Sequence, residues 1–124
     1  MTGEPVQPLQ TAKLSESDVL AEAVLNAGKE MGLAQADVGR IIGRDRGSIR
    51  RNGIDPAEKS GEIATMLVRI YRSLYALFGD DRKTLQYWLD TENLHTRGIP
   101  RQQLFSVDGL VTVLHYLDAM RGKI

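Results

Sequence analysis

The stretch from Leu33 to Arg51, LAQADVGRIIGRDRGSIRR, constrains the fold most strongly, because it predicts two short helices joined by a tight turn. Val38, Ile41 and Ile42 follow helical spacing and give the first of these helices one apolar face. Gly43 follows directly, and a glycine allows the chain to turn without a Cβ clash. The sequence therefore predicts that the first helix ends at Gly43.

The second predicted helix carries a dense set of arginines. Asp45 can cap its N-terminus, and Ile49 is expected to face the protein interior. The residues expected to point outward are Arg46, Ser48, Arg50 and Arg51. Two helices in this order form a helix-turn-helix, in which the second helix enters the DNA major groove. The sequence thus predicts that this chain binds DNA.

The net charge of the chain is zero, but the distribution of the charges favours a local basic surface. Arginines cluster in one short segment, opposed there only by Asp45, and they are Arg40, Arg44, Arg46, Arg50 and Arg51. The compensating acids lie on either side of it: Glu16, Asp18, Glu22, Glu30, Asp55, Glu58 and Glu62. A basic stripe on a neutral protein still provides a phosphate-binding face, although an arginine run can also be a solvated helix surface.

Each polar residue of this segment has an expected contact with DNA. Gln35 begins the first helix and can donate to a phosphate, or else it is an ordinary exposed glutamine. Arg46 and Arg50 lie one turn apart and are expected at base edges, since arginine can bind guanine O6 and N7 together. The remaining expected contacts are a base or phosphate from Ser48, close approach to the groove at Gly47, and phosphates from Arg44 and Arg51. One such helix reads few base pairs, so we expect a homodimer on a palindromic operator with half-sites about 34 Å apart.

Composition limits the class of protein. Hydrophobic residues make up 42% and charged residues 26% of 124 positions, as is typical of a globular domain. The absence of cysteine excludes disulfides and thiolate zinc sites. No apolar run approaches the roughly 20 residues needed to span a bilayer, and no secretory signal is evident. We therefore expect a soluble cytoplasmic protein without membrane contacts.

Helical spacing recurs along the chain and no strand pattern is found, which predicts an all-α fold. Residues 1–14 contain two prolines and no apolar period, so we expect a flexible arm followed by a helix capped by Ser15 or Ser17. A long helix is expected from about Pro56 to Gly79, and another after Asp80 or Asp81. An ordered loop over 91–99 and a short turn of helix after Pro100 complete this part.

The pattern divides the chain into three parts. Residues 1–14 form the arm, residues 15–60 the helix-turn-helix bundle, and residues 61–124 a small helical domain reached through the long helix. The last helix is expected over Val107–Arg121, with an inner stripe of Val107, Leu110, Val111, Leu114 and Leu117. Val113, Tyr116 and Met120 widen this stripe beyond one face, so the helix must bury two sides. We expect the second side to pack on another chain, as a homodimer or with a partner.

No residue pattern indicates catalysis. Trp88 lies beside Leu85 and Leu89 and is expected in the core. His95 and His115 lack carboxylates at metal-ligand spacing, so both are expected to be structural or exposed. No nucleophile is paired with a base and no glycine-rich phosphate loop follows a strand. The sequence therefore predicts a protein that is not an enzyme and has no metal or cofactor.

Both halves together resemble the Xre/MbcA/ParS family of antitoxins. LAQADVGRIIGRDRGSI is similar to the Xre-type repressor helix-turn-helix, with Gln35 opening one helix and Ile42-Gly43 at the turn. The segment from Tyr75 to Ile124 resembles the family's C-terminal toxin-binding domain over nearly its whole length. The residues carrying that resemblance are Trp88-Leu89, Asn93-Leu94, Gly98, Pro100, Leu104, Gly109-Leu110, Tyr116-Leu117 and Arg121-Gly122.

The resemblance implies that the partner is a RES-family toxin, which depletes cellular NAD⁺, and that the complex represses its own operon. It also implies that the C-terminal tail occludes the toxin's active site. The expected toxin-binding residues are Tyr116, Met120, Arg121, Gly122, Lys123 and Ile124. A carboxylate on this tail could occupy a pocket built for the NAD⁺ pyrophosphate, since such a pocket presents cationic or N–H donors.

Some positions depart from the family pattern. Gly39 stands where a repressor often has alanine, which weakens that helix by roughly 1 kcal/mol. Arg44 and Gly47 occupy positions that are often smaller or polar, which changes the expected operator sequence. Two alternatives stay open: a stand-alone transcriptional regulator whose C-terminal half only dimerises, and a protein-binding module with a vestigial helix-turn-helix.

Overall fold

The computed structural model describes the backbone of residues 8–122 and the side chains of residues 16–122. The described backbone forms helices without strands, which confirms the predicted all-α class. In chain order these helices are α1 (Pro8–Glu30), α2 (Gln35–Ile42), α3 (Arg46–Asn52), α4 (Lys59–Phe78), α5 (Arg82–Asp90), α6 (Pro100–Gln103) and α7 (Val107–Gly122).

Two helix starts differ from the prediction. Helix α1 begins at Pro8, so residues 8–14 of the expected arm are helical, and residues 1–7 lie outside the described part. The proline is compatible with this start, because the first turn of a helix needs no N–H bond there. Helix α4 begins at Lys59 rather than near Pro56. Asp55 holds the preceding turn, since its side chain accepts from the N–H of Ala57 at 2.9 Å and its carbonyl from that of Glu58 at 3.1 Å.

Helix α4 lies at the centre of the fold. It packs against α1 and α2, which precede it in the chain, and against α5 and α7, which follow it. Its Leu67, Ile70 and Leu74 are fully buried, and they belong to one hydrophobic cluster that includes residues of α1, α2, α3, α5 and α7. The helices on both sides of residue 60 therefore share one core, and the expected domain boundaries stay a prediction.

The buried face of α7 differs from the expected stripe. Leu110, Val113, Leu114 and Leu117 are buried, whereas Val107 is 58% exposed. The reason lies at the corner with α6, where a Cβ on Gly109 would overlap the carbonyl oxygen of Gln103. This close approach sets the rotation of α7, so its main apolar face packs on α4 and α6 of the same chain. Homodimerisation through this helix stays a prediction.

The loop between α5 and α6 is ordered by specific hydrogen bonds. The Asn93 side chain accepts from the N–H groups of His95 (2.8 Å) and Thr96 (3.2 Å), and Asn93 and Gly98 pair in an isolated β-bridge. Thr96 is buried, and the Gln103 side chain donates to its carbonyl at 2.7 Å. The predicted ordered loop is therefore correct, but its stability depends on residues that the spacing did not reveal.

No helix within residues 8–122 has both the length and the apolar content required to cross a membrane.

Asp81 caps α5 and makes its stability sensitive to acid. Its side chain accepts from the Thr84 hydroxyl at 2.6 Å and the Thr84 N–H at 3.1 Å, and these bonds lower the pKa of the carboxyl below 3.8. Because the folded pKa lies below the unfolded one, the cap stabilises the protein above the unfolded pKa and is lost as pH falls through the folded pKa.

Asp81→Ala should therefore lower the urea midpoint at pH 7, and the difference from wild type should shrink below pH 3.8. Asp80→Ala is the control, since Asp80 caps no helix; an Asp81 effect independent of pH would contradict the assignment.

Candidate functional site

The turn between α2 and α3 has the geometry that the sequence predicted. Gly43 lies in the left-handed region with φ 79°, and its N–H donates to the Gly39 carbonyl at 2.8 Å. The Asp45 side chain accepts from the N–H groups of Gly47 (3.0 Å) and Ser48 (3.2 Å), which caps α3. Ile49 is fully buried beneath the turn. The two short helices are thus joined by a tight turn that covers a buried isoleucine.

Gly39 has a role that helix propensity did not indicate. A Cβ at this position would overlap the carbonyl oxygen of Arg44, so the turn can close this tightly only over a glycine. The Gly39 carbonyl also accepts from the Arg44 N–H at 2.9 Å. Glycine lowers the helix propensity of α2, as the sequence indicated, but the turn requires a residue without a Cβ at this position.

Three arginines of α3 are exposed: Arg46, Arg50 and Arg51. The Arg50 side chain donates through Nε to Oε1 of Gln35 at 3.4 Å, which joins the start of α2 to the middle of α3. Gln35 is half-buried, so this bond restrains the direction in which the Arg50 guanidinium extends. The structure thus brings together Gln35 and Arg50, two residues that the sequence assigned separate contacts.

Arg44 and Ser48 are engaged inside the motif. Arg44 donates through Nη2 to the Ser48 hydroxyl (2.7 Å), the Ser48 carbonyl (3.2 Å) and the Gly53 carbonyl (3.0 Å). These bonds satisfy carbonyls at the C-terminal end of α3, a role that basic side chains often have at helix ends. The Ser48 hydroxyl also accepts from Asn52 at 3.3 Å. The expected phosphate contact of Arg44 and the expected base or phosphate contact of Ser48 would require these bonds to be exchanged.

Gly47 leaves room for two neighbouring side chains. A Cβ here would lie 2.8 Å from Nη1 of Arg51 and 3.1 Å from Oδ2 of Asp45. The Asp45 cap and the Arg51 side chain therefore give a local reason for a glycine here. The close approach to a DNA groove stays a prediction from the sequence.

Arg40 points towards the C-terminal half rather than joining the exposed arginines of α3. It forms an ion pair with Asp37, and its guanidinium lies 5.0 Å from the ring centroid of Phe105. The Arg40 hydrogen bond is the main cause, and the Ala34 N–H a second one, of a lowered pKa for the Asp37 carboxyl. Sequence spacing placed Arg40 in the basic stripe and gave no signal of this contact across the fold.

Polar side chains of α5 and α6 hold the junction between α1 and α2. Arg82 binds both carboxylate oxygens of Glu30, at 2.9 and 2.8 Å, and Gln86 donates to the Glu30 carbonyl at 3.2 Å. Arg101 pairs with Asp90 and donates to the Met31 carbonyl at 2.7 Å. The C-terminal helices thus fix the point from which α2 starts.

Three rings stack on the outer side of the C-terminal half, and we call Trp88, Tyr116 and His95 the ring stack. The Trp88 and Tyr116 centroids are 6.3 Å apart with an interplanar angle of 8°, and those of His95 and Tyr116 are 5.2 Å apart at 11°. Trp88 is half-buried and packs against the core, close to the expectation. The stacking of His95 on Tyr116, an expected toxin contact, could not be read from their separation in sequence.

The end of α7 carries the other expected toxin-binding residues. Met120 is half-buried, and Arg121 donates to the buried hydroxyl of Ser73 at 3.2 Å, which ties the helix end to α4. Gly122 is the last residue of α7, and Lys123 and Ile124 lie outside the described residues. In the described part of the chain, no group of three His, Asp or Glu side chains is arranged to hold a metal ion.

Comparison with known proteins identifies the C-terminal half. Residues 73–123 match the family model of the antitoxin Xre/MbcA/ParS C-terminal toxin-binding domain, which covers the end of α4 and all of α5 to α7. A search of curated proteins finds no match. The C-terminal part of the chain is therefore similar to the toxin-binding domain of these antitoxins. This match supports the Xre/MbcA/ParS family, which the residue pattern predicted.

Gly39→Ala tests whether the turn requires a residue without a Cβ at position 39. Alanine should add about 1 kcal/mol of helix propensity, but overlap with a backbone oxygen should cost more, because overpacking typically costs about 1–3 kcal/mol. We expect net destabilisation in urea unfolding. Gly122→Ala is the matched control, since nothing lies within 4 Å of a Cβ there and the substitution should be neutral or stabilising. A stabilised Gly39→Ala protein would refute this explanation.

Proposed function

We propose that this chain is the antitoxin of a type II toxin–antitoxin system with two activities. It binds and neutralises a RES-family toxin that degrades NAD⁺, and it represses its own operon by binding DNA. The observation that carries the proposal is the match of residues 73–123 to a toxin-binding domain, joined through one core to two short helices with exposed arginines. Both activities belong in the cytoplasm, where operon and NAD⁺ are present.

Toxin neutralisation is assigned to the end of α7. Tyr116 and Met120 lie on one face of the helix, because residues four apart are neighbours. The Arg121–Ser73 bond and the ring stack hold this end of the helix against the rest of the domain. A tail that starts from a fixed base loses less conformational freedom when it binds. Residues 122–124 then enter the NAD⁺ pocket of the toxin and exclude the substrate.

DNA binding is assigned to the exposed face of α3. Arg46 and Arg50 contact base edges and Arg51 contacts a phosphate. Gln35 directs Arg50, since its amide oxygen accepts from Nε and leaves the two terminal nitrogens of the guanidinium free to bind guanine. Two copies on a palindromic operator would place two such helices about 34 Å apart, in successive major grooves.

The double substitution Arg46→Ala and Arg50→Ala should abolish specific operator binding. Each bidentate arginine–guanine contact is worth about 1–3 kcal/mol of discrimination. Arg51→Ala should instead weaken binding to all sequences and reduce the slope of log K against log salt by about 0.9. Mobility shifts at several fixed salt concentrations measure both effects.

Arg69→Ala is the control for the loss of positive charge, because Arg69 lies on α4 and pairs with Asp118 at 2.7 Å. It should leave operator binding unchanged. Unchanged affinity of the double variant would refute the assignment of base contacts. If the wild type shows no salt-sensitive binding at all, the helix-turn-helix is vestigial and only the toxin-binding activity stands.

Deletion of residues 122–124 should separate toxin binding from neutralisation. When the native operon is expressed, the full-length chain should elute together with a toxin and keep cellular NAD⁺ at normal levels. The truncated chain should still elute with the toxin and bind DNA, while NAD⁺ falls. Thermal unfolding checks that the fold is retained. Full protection of NAD⁺ by the truncated chain would show that the tail does not block the pocket.

A further inference from the structure

The loop at residues 93–98 has a fixed backbone. Besides the two bonds to the Asn93 side chain, the Asn93 carbonyl accepts from the Arg97 N–H at 2.8 Å, and the Asn93 N–H donates to the Gly98 carbonyl at 2.8 Å. Arg97 adopts a positive φ of 64°, a conformation that costs energy for a residue with a Cβ. The bonds around Asn93 and the buried Thr96 hold it there.

Leu94 extends from this fixed loop into solvent. It is 88% exposed, which is more than any other large hydrophobic side chain in the described part of the chain. A single exposed leucine is ordinary on a protein surface. Here, however, the backbone on both sides is held in one conformation, so little further backbone freedom would be lost when Leu94 enters a pocket. Such preorganisation is what increases affinity at an interface.

The position of Leu94 connects it to the end of α7. The next residue, His95, stacks on Tyr116, and Met120 follows Tyr116 by one helical turn. Leu94 therefore adjoins the ring stack through its neighbour in the chain, and the ring stack adjoins Met120 through α7. Helix α7 ends at Gly122, two residues after Met120, where the proposed tail begins.

We propose that Leu94 is a second toxin contact, which inserts into an apolar pocket on the toxin beside the ring stack. This proposal rests on the antitoxin function proposed above, and it names a contact outside the tail. The domain that matches toxin-binding antitoxins includes the whole loop, and continuity with the end of α7 selects the toxin rather than another occupant. The loop then supplies affinity while the tail blocks the substrate pocket.

The test is the affinity of Leu94→Ser for the toxin that elutes with the chain from its operon. We expect Kd to rise by at least about tenfold, which corresponds to about 1.4 kcal/mol. Leu94→Met should restore most of the affinity, since it keeps an apolar side chain of similar volume. Thermal unfolding of both variants should match the wild type because Leu94 contributes little to the core.

Val19→Ser and Val107→Ser are matched controls. Both residues are exposed, at 61% and 58%; Val19 lies outside the matched domain and Val107 at the opposite end of α7. Neither substitution should change Kd. If all three serine variants raise Kd equally, any polar substitution at the surface weakens toxin binding, and the proposal is overturned.

Further outcomes are also decisive. Wild-type affinity in Leu94→Ser would overturn the proposal while leaving the antitoxin function intact. If Leu94→Ser converts a dimer to a monomer in sedimentation without changing toxin affinity, the occupant is a second copy and the proposal is wrong. If the wild type binds no toxin, the antitoxin function itself fails, and the role of Leu94 fails with it.

Discussion

Burial of α4 against helices from both ends of the chain is the constraint on which the rest of the structure depends. Leu67, Ile70 and Leu74 are fully buried. Complete burial of such a side chain contributes about 1.5–3 kcal/mol. Because α4 contacts α1 and α2 on one side and α5 and α7 on the other, the same side chains stabilise both halves. A chain of this length is more stable with one shared core, because two small separate domains would each bury too little surface.

Polar contacts fix the orientation of the helices around this shared core. Glu30 and Met31, at the end of α1 and just beyond it, are held by Arg82 and Arg101 from the C-terminal helices. Arg40 on α2 lies against Phe105 from the other half. Exposed ion pairs contribute little stability singly. Their effect here is geometric, because they join the end of α1 and helix α2 to the C-terminal helices.

Local features were predictable from the sequence because their causes are local. The turn at Gly43, the cap at Asp45 and the inward direction of Ile49 follow from neighbouring residues, and the family resemblance of the C-terminal half depended on a pattern of consecutive residues. The bonds of Arg44 to the end of α3 and the rotation of α7 at Gly109 depend on contacts that spacing alone does not encode. The ring stack joins residues from α5, its following loop and α7, so only the assembled fold reveals it. The DNA and toxin contacts themselves stay predictions.

The single core also determines how this protein can be removed. A protease that cuts between α4 and α7 would separate apolar surfaces that stabilise each other, leaving Leu74 and Leu114 without their packing partners. Neither fragment would retain a core large enough to stay folded. Proteolytic turnover would therefore remove the folded positions of the exposed arginines of α3 and of the C-terminal surface in one event.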